Sequence, residues 1–440
     1  MGAESWGVFS YVISLAAFFT VFSDIGLNAV LTREVSKNPN LRQQYFSTTF
    51  FIKLILLAIS VLVVIFIAPF FTKIEAAKIL LPIVTLIIIF DGLREFGMAL
   101  NRALEKMERE AVIKIFTNLS IAVLGIIFLI FSSTAKSLAF SYAIGSALGF
   151  LLTIRVLWPY FKNLLTYFSK NLLRPIFSAA WPFALLGLSG TIMVNTDILM
   201  LNLWRSAEEI GFYSANQRII QFFYIIPMLL SVAIFPSLAR LANTDNEKFR
   251  RLLEKSISAS LFVGIPIVFG GLILSEEIIN LLFGAQYLPA VPAFKLLLIT
   301  VLIIFPSYFI GNAVFAHNQQ KKFIIFSGLG AFSNVALNYF LIPPFGIIGA
   351  AIATLGALIL SNIFLWLKMK KINYFTVLPH LKKILLATAL MTLLTFTLKN
   401  FDVNFFINLF ASALLYFGLL IIWKEKILKE IKTILRCRES

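Results

Sequence analysis

A few charged and polar side chains stand inside long apolar runs, and through them this chain could do chemistry. Arg218 is foremost. Ser214, Gln217, Arg218 and Gln221 recur at helical spacing and share one helix face. A guanidinium stays charged and offers a planar fork of donors to carboxylate or phosphate oxygens. The structural alternatives are an ion pair with Asp197 or extension of the side chain to the membrane boundary. Lys53, with Thr49 one turn before it, could meet an anion near the polar end of its run, or extend its amine into the headgroups. Asp24 could pair with a base or carry a proton; it could equally cap a local turn or close a salt bridge. Ser10, Ser14, Asp24 and Asn28 fall on roughly one face of the same run. Asp91, Arg94 and Glu95 stand at i, i+3 and i+4, where they can neutralise one another; gating or ion coupling is their alternative role. Asp197 could pair with Arg218 or cap the neighbouring turn.

None of this is an enzyme's equipment. The two histidines, His317 and His380, fall in different loops, and the single Cys437 excludes an intrachain disulfide. No nucleotide-binding glycine motif and no HExxH is present, so no cofactor, metal or self-catalysed ATP hydrolysis is expected.

The elements that must position these residues are membrane helices. The chain has 440 residues, 60% hydrophobic and 13% charged, against about 25% charged in soluble domains. The mean hydropathy is +0.91. A bilayer core needs about 20 apolar residues per helix. Thirteen runs qualify: 7–31, 45–71, 79–100, 111–131, 137–157, 178–203, 211–238, 256–275, 293–315, 323–342, 347–367, 381–398 and 405–423. They are too long for barrel strands and lack in/out alternation. The fold class is therefore an all-α polytopic membrane protein. A net charge of +17 would suggest nucleic acid in a soluble protein; here it fits anionic headgroups, with no nucleic-acid partner. Lys and Arg crowd every second connection and the tail, while the intervening connections hold only Lys73, Lys78, Lys136, Arg205 and Lys399. This bias places the 32–44 loop and the C-terminus in the cytoplasm of a multi-pass cell-membrane protein.

One unit repeats. Ala3-Glu4-Ser5-Trp6-Gly7-Val8-Phe9-Ser10 resembles Ala207-Glu208-Glu209-Ile210-Gly211-Phe212-Tyr213-Ser214, 204 residues on. Each copy opens a membrane helix. The second copy follows a complete helix at 178–203, while the first begins the chain. Repeat and charge parity together lead to the expectation that a helix precedes Met1, the first of fourteen. Arg218 has no charged twin, since its counterpart is Ser14. Pro82, Pro182, Pro227, Pro236, Pro266 and Pro306 lie in or at the ends of spans and permit kinks. Gly145 and Gly149 form a small-xxx-small pair suited to helix packing.

These stretches resemble the polysaccharide (O-antigen/exopolysaccharide) flippase branch of the MATE-like flippase superfamily. The likeness rests on AESWGVFSY, FSDIGL with TREVSK (Phe22 to Lys37), NTDILML (Asn195 to Leu201), EEIGFYSANQRI, AIFPSLARL and LLFGAQYLPAVPAFKLL (Leu281 to Leu297). The resemblance implies two six-helix lobes plus two C-terminal helices, here 1–174 (five of six helices), 175–370 and 371–440. It implies alternating access for isoprenoid-pyrophosphate-linked oligosaccharides, carried from the cytoplasmic to the outer leaflet, with glycan polymerase and glycosyltransferases as working partners. Arg218, Gln221, Ser214, Gln217, Lys53, Asp24 and Asp197 are then cavity candidates, and a pyrophosphate suits the Arg218 fork. A MATE-type cation exporter and a lipid II flippase share the fold. The exporter fits less well, because Lys53 and Arg218 favour an anion. A membrane polysaccharide polymerase would need an external loop with catalytic bases, and 276–292 offers only Glu276 and Glu277.

Overall fold

The structure, a computed structural model, describes residues 1–162 and 164–424, and excludes the side chains of Gln320 and His380. Cys437 and most of the basic tail lie outside the described residues.

Among the described residues every regular element is helical. The long ones are α1 (Ala3–Phe22), α2 (Leu27–Lys37), α3 (Arg42–Phe66), α4 (Leu81–Ala103), α5 (Met107–Phe131), α6 (Ala135–Phe161), α7 (Leu173–Trp204), α8 (Ala207–Leu241), α9 (Asn246–Ile273), α10 (Ser275–Phe283), α11 (Val291–Ala316), α12 (Gln320–Ile372), α13 (Leu378–Asn400) and α14 (Phe405–Ile422). Eleven described helices are long and apolar enough to cross a membrane. That set leaves out α4, which carries Asp91, Arg94, Glu95 and Arg102. It counts α12 once, although Gly346 (φ 57°, ψ −131°) divides its 53 residues after Pro343 and Pro344. This backbone conformation is essentially open only to glycine.

Burial is inverted relative to a soluble protein. On α3, Ser47, Thr48, Thr49 and Lys53 are buried while Ile55, Ile59, Leu62 and Phe66 are exposed. Helix α5 likewise shows Ile115, Leu119, Ile126 and Ile130 to its surroundings. Apolar surface outside and hydrogen-bonded polar groups inside are what a lipid solvent selects.

The chain forms two compact units, Met1–Gly211 and Phe212–Ser440. The first packs α2, α3, α4 and α7 around Leu27, Leu31, Phe46, Phe96, Leu100 and Ile176. The sequence boundary at 174/175 gives α7 to the second lobe; in the structure α7 packs along α1 and α2 of the first unit. Helices α5 and α6 meet through the small-xxx-small pair: a Cβ on Gly145 would overlap Ile121, and one on Gly149 would overlap the Thr117 hydroxyl. The second unit gathers Phe249, Leu253, Phe309, Met369, Ile384 and Tyr416 from α9, α11, α12, α13 and α14.

The repeat is visible in element boundaries. Helix α1 starts at Ala3 and α8 at Ala207, 204 residues apart. Their later courses differ. The first copy breaks after Phe22: Ile25 has φ 37° and Gly26 φ 83° before α2 begins. The run 7–31 is therefore two helices, and Asp24 and Asn28 do not continue the face of Ser10 and Ser14. Gly26 also allows close approach, since a Cβ there would stand 2.5 Å from the Ala180 carbonyl oxygen of α7. The second copy runs unbroken to Leu241, with Pro227 and Pro236 inside it.

Candidate functional site

In the first unit the break between α1 and α2 houses a buried lysine. Lys53 is 0% exposed. Its Nζ donates to Ser23 Oγ at 3.0 Å and stands 4.0 Å from Asp24 Oδ1. Asp24 Oδ1 also accepts from Asn28 N at 3.1 Å, closing the first turn of α2. Both structural roles considered for Asp24, cap and salt bridge, are thus realised together. Extension of Lys53 into the headgroups is not: the side chain turns inward. The physical reason is the broken helix, which leaves the Ser23 hydroxyl and the Asp24 carboxylate within reach. Gly92 of α4 packs beside it; a Cβ there would crowd Leu57 Cδ2 at 3.0 Å and reach ordinary contact with Lys53 Cε and Ser23 Oγ.

Further along α4, Arg94 lies 3.0 Å from Asp91 and 3.5 Å from Glu95, the mutual neutralisation the spacing predicts. Asp91 and Arg94 are largely buried, with side chains 13% and 12% exposed. Tyr142 and Ser146 of α6 face Asp91. At the end of α4, Arg102 reaches Glu110 at 3.3 Å, and Lys114 reaches the same carboxylate at 2.8 Å. Asp24, Asp91 and Glu95 thus face Lys53 and Arg94, one carboxylate more than these two bases match. Asp197 of α7 is fully buried.

Arg218 differs from all of these. It is exposed on α8, while Ser214 is buried and Gln217 and Gln221 are half-buried beside it. Among the described residues it has no ion-pair partner. Asp197, its suggested counter-ion, belongs to the first unit and Arg218 to the second. An exposed guanidinium about 16 Å along a spanning helix, at 1.5 Å per residue from Ala207, is too costly to face hydrocarbon. Its guanidinium is best satisfied by water, by an anion, or by extension to the membrane boundary.

Several partners escaped sequence reasoning. Ser23 could have been suspected as the neighbour of Asp24. Asn216 Nδ2 donates to the Ala290 carbonyl at 2.8 Å, fastening α8 to the turn before α11. Tyr224 and Thr300 share a 2.6 Å hydroxyl contact. Asn202, at the end of α7, donates to Phe71 O at 2.9 Å and accepts from Lys73 N at 3.0 Å. The acids of the 276–292 connection are engaged as well: Lys399 stands 3.1 Å from Glu277 and 3.7 Å from Glu276, and donates to Ile273 O.

Helices of this kind, with charges held inside and Arg218 displayed on α8, define a polytopic membrane protein rather than a soluble or barrel architecture. The chain belongs to the family described as polysaccharide biosynthesis protein, whose model matches residues 1–292. It is 24% identical over 387 residues to a Shigella flexneri protein named "Putative O-antigen transporter", covering 83% of this chain and 90% of that one. It is 21% identical over 442 residues to a "Probable low-salt glycan biosynthesis flippase" of Haloferax volcanii, with 94% and 88% covered. Among solved structures it shares the fold of the lipid II flippase MurJ in an inward closed conformation. The TM-score is 0.76 at 20% identity, over 97% of this chain and 98% of the other.

Proposed function

We propose that the chain is a flippase carrying isoprenoid-pyrophosphate-linked oligosaccharides from the cytoplasmic to the outer leaflet by alternating access, for surface polysaccharide assembly. The observation that carries this reading is the exposed Arg218, seated on α8 beside Gln217 and Gln221 within a member of the polysaccharide biosynthesis family. The guanidinium neutralises a pyrophosphate and lowers the cost of bringing it into low dielectric. The half-buried amides offer donors and acceptors to the same oxygens or to sugar hydroxyls. The relatives named for O-antigen transport and glycan flipping support the same substrate class.

A small-cation exporter is the weaker reading, because the displayed group is a base, and Asp24 and Asp91 are paired with Lys53 and Arg94. A lipid II flippase has the fold in its favour and would use the same pyrophosphate chemistry. We place the protein in the cytoplasmic membrane with its C-terminus inside, beside the glycan polymerase and glycosyltransferases that consume and supply its substrate.

The test is transfer of a fluorescent lipid-linked oligosaccharide across proteoliposomes holding the purified protein. Arg218→Ala should lower the rate at least tenfold, and Arg218→Lys should retain a part of it. Unimpaired transfer in both variants would refute the assignment. Transfer of lipid II in preference to lipid-linked oligosaccharide would select the second substrate.

A further inference from the structure

A hollow of about 340 Å³ runs between α11 and the second half of α12, wholly inside the second unit. Leu302 and Pro306 line it from α11, and Ile359, Ile363, Trp366 and Leu367 from α12. On the α11 side the short Pro306 and Ser307 leave space that the larger side chains of α12 do not fill. Ile359, Ile363 and Leu367 are 41%, 54% and 55% exposed, so the hollow is a groove with an open flank. Its two polar side chains are already answered. Ser307 Oγ lies 2.6 Å from the Ile303 carbonyl oxygen and also meets Asn362 Oδ1, while Asn362 Nδ2 donates to the Leu358 carbonyl at 2.8 Å. With these groups satisfied, the groove suits a hydrocarbon chain rather than water.

The groove has a charged end. Ile359, Asn362, Ile363 and Trp366 form one stripe by helical spacing, and the next residue on that stripe is Lys370. Lys371 follows it and is exposed. Lys370 Nζ stands 5.4 Å from the centre of the Tyr374 ring, and neither amine has a carboxylate partner among the described residues. The local sequence is uniformly basic: no Asp or Glu occurs between Glu277 and Asp402, a stretch that holds nine lysines. From Ile359 to Lys370 is about 16 Å at 1.5 Å per residue, close to half of a hydrocarbon core about 30 Å thick. Groove and lysines together therefore span one leaflet, with room for a chain along the stripe and a phosphate at its end. Basic pockets between membrane helices hold anionic headgroups in this way. Trp366, one turn before Lys370, adds an indole N–H donor.

We propose that the groove between α11 and α12 seats one chain of an anionic phospholipid of the bilayer, with its phosphate on Lys370 and Lys371. The lipid is a resident of the second unit and not the transported molecule, so the inference stands apart from the flippase reading. The charge bias puts this end of the groove in the cytoplasmic leaflet.

The experiment reconstitutes the full chain in phosphatidylcholine vesicles that carry a small fraction of phosphatidylglycerol with a photoreactive diazirine at mid-chain. Adducts are mapped by peptide mass spectrometry. They should fall on α11 and α12 at the groove and exceed those from diazirine phosphatidylcholine about tenfold. Lys370→Gln with Lys371→Gln should bring them down to the phosphatidylcholine level. Lys106→Gln with Arg109→Gln, an exposed basic pair of the first unit, should leave them unchanged. Ile363→Trp fills the groove from its open flank, keeps both lysines, and should remove the adducts. The lysine pair lies on the last turn of α12, so its result does not depend on repacking a core. Equal labelling by the two lipids, or labelling indifferent to Lys370 and Lys371, would overturn the site. So would preferential displacement of the label by unlabelled isoprenoid pyrophosphate, which would make the groove the substrate's, or cross-linking of α12 to a second copy in place of lipid.

Discussion

Replacing Lys53 by methionine keeps the length of the side chain and removes its charge. The amine is fully buried, 4.0 Å from Asp24. At that separation two unit charges attract by about 4 kcal/mol for an effective dielectric near 20. Breaking a buried pair by deleting one partner costs about 3–5 kcal/mol, because the other charge is stranded. Asp24 is 23% exposed and keeps its bond from Asn28 N, which lowers the expected loss to about 2–3 kcal/mol. For a unit the size of Met1–Gly211, an unfolding entropy of about 2.1 cal/mol/K per residue turns this into a fall in Tm of about 5–7 °C. The assay is thermal unfolding of the detergent-solubilised protein, followed by tryptophan fluorescence. Asp24→Asn combined with Lys53→Met should recover much of the loss, with a coupling of about 2 kcal/mol in the double-mutant cycle. Losses that simply add, to within about 0.4 kcal/mol, would refute the pairing and return Lys53 to a packing role.

Arg94→Leu should destabilise by about 3–5 kcal/mol, more than Asp91→Asn at about 1–2 kcal/mol, because only the first strands two carboxylates; the same melting assay ranks them. Gly346→Ala should cost about 1–3 kcal/mol, since Gly346 holds a backbone conformation closed to alanine; an unchanged Tm would contradict the break in α12. At the start of α9, the Asp245 carboxylate accepts from the backbone N–H of Lys248 and Glu247, which holds its pKa below the ordinary 3.8. Its contribution is therefore complete above the ordinary value and lost as pH falls through the depressed one. The Tm difference between the parent and Asp245→Asn should be constant from pH 7 to 5 and shrink below about pH 3.8.

Much of this fold was legible because membranes impose a simple code. Apolar runs of spanning length found the helices, and the repeated A-E-x-x-G-x-aromatic-S turn marked the starts of α1 and α8. The Arg94 triad was legible because i+3 and i+4 neighbours need no tertiary knowledge. Lys53 was not. Its partners lie about thirty residues away in sequence, on a turn in which Ile25 joins Gly26 at positive φ, and nothing in an isoleucine announces that. The same break hid inside the run 7–31, since hydropathy averages over a single interrupted turn. Asn202 and Asn216 were illegible for a related reason: an asparagine that fastens a carbonyl on another element has no local signature. The packing of α7 along α1 and α2 was illegible too, because surface complementarity between distant elements leaves no local pattern.

The break at Ser23–Gly26 has a counterpart that the geometry of α8 conceals. Counted from the repeat, Ser23 corresponds to Pro227. Proline has no N–H, so the Phe223 carbonyl, four residues earlier, loses its helical partner there. Both copies thus carry an interruption at the same distance from their opening turn, and α8 carries a second at Pro236. One copy has yielded, and a lysine is wedged into the gap. The other still stands as a continuous rod, stiff on either side of a notch. A beam notched where its twin has folded carries the same local weakness before any load arrives.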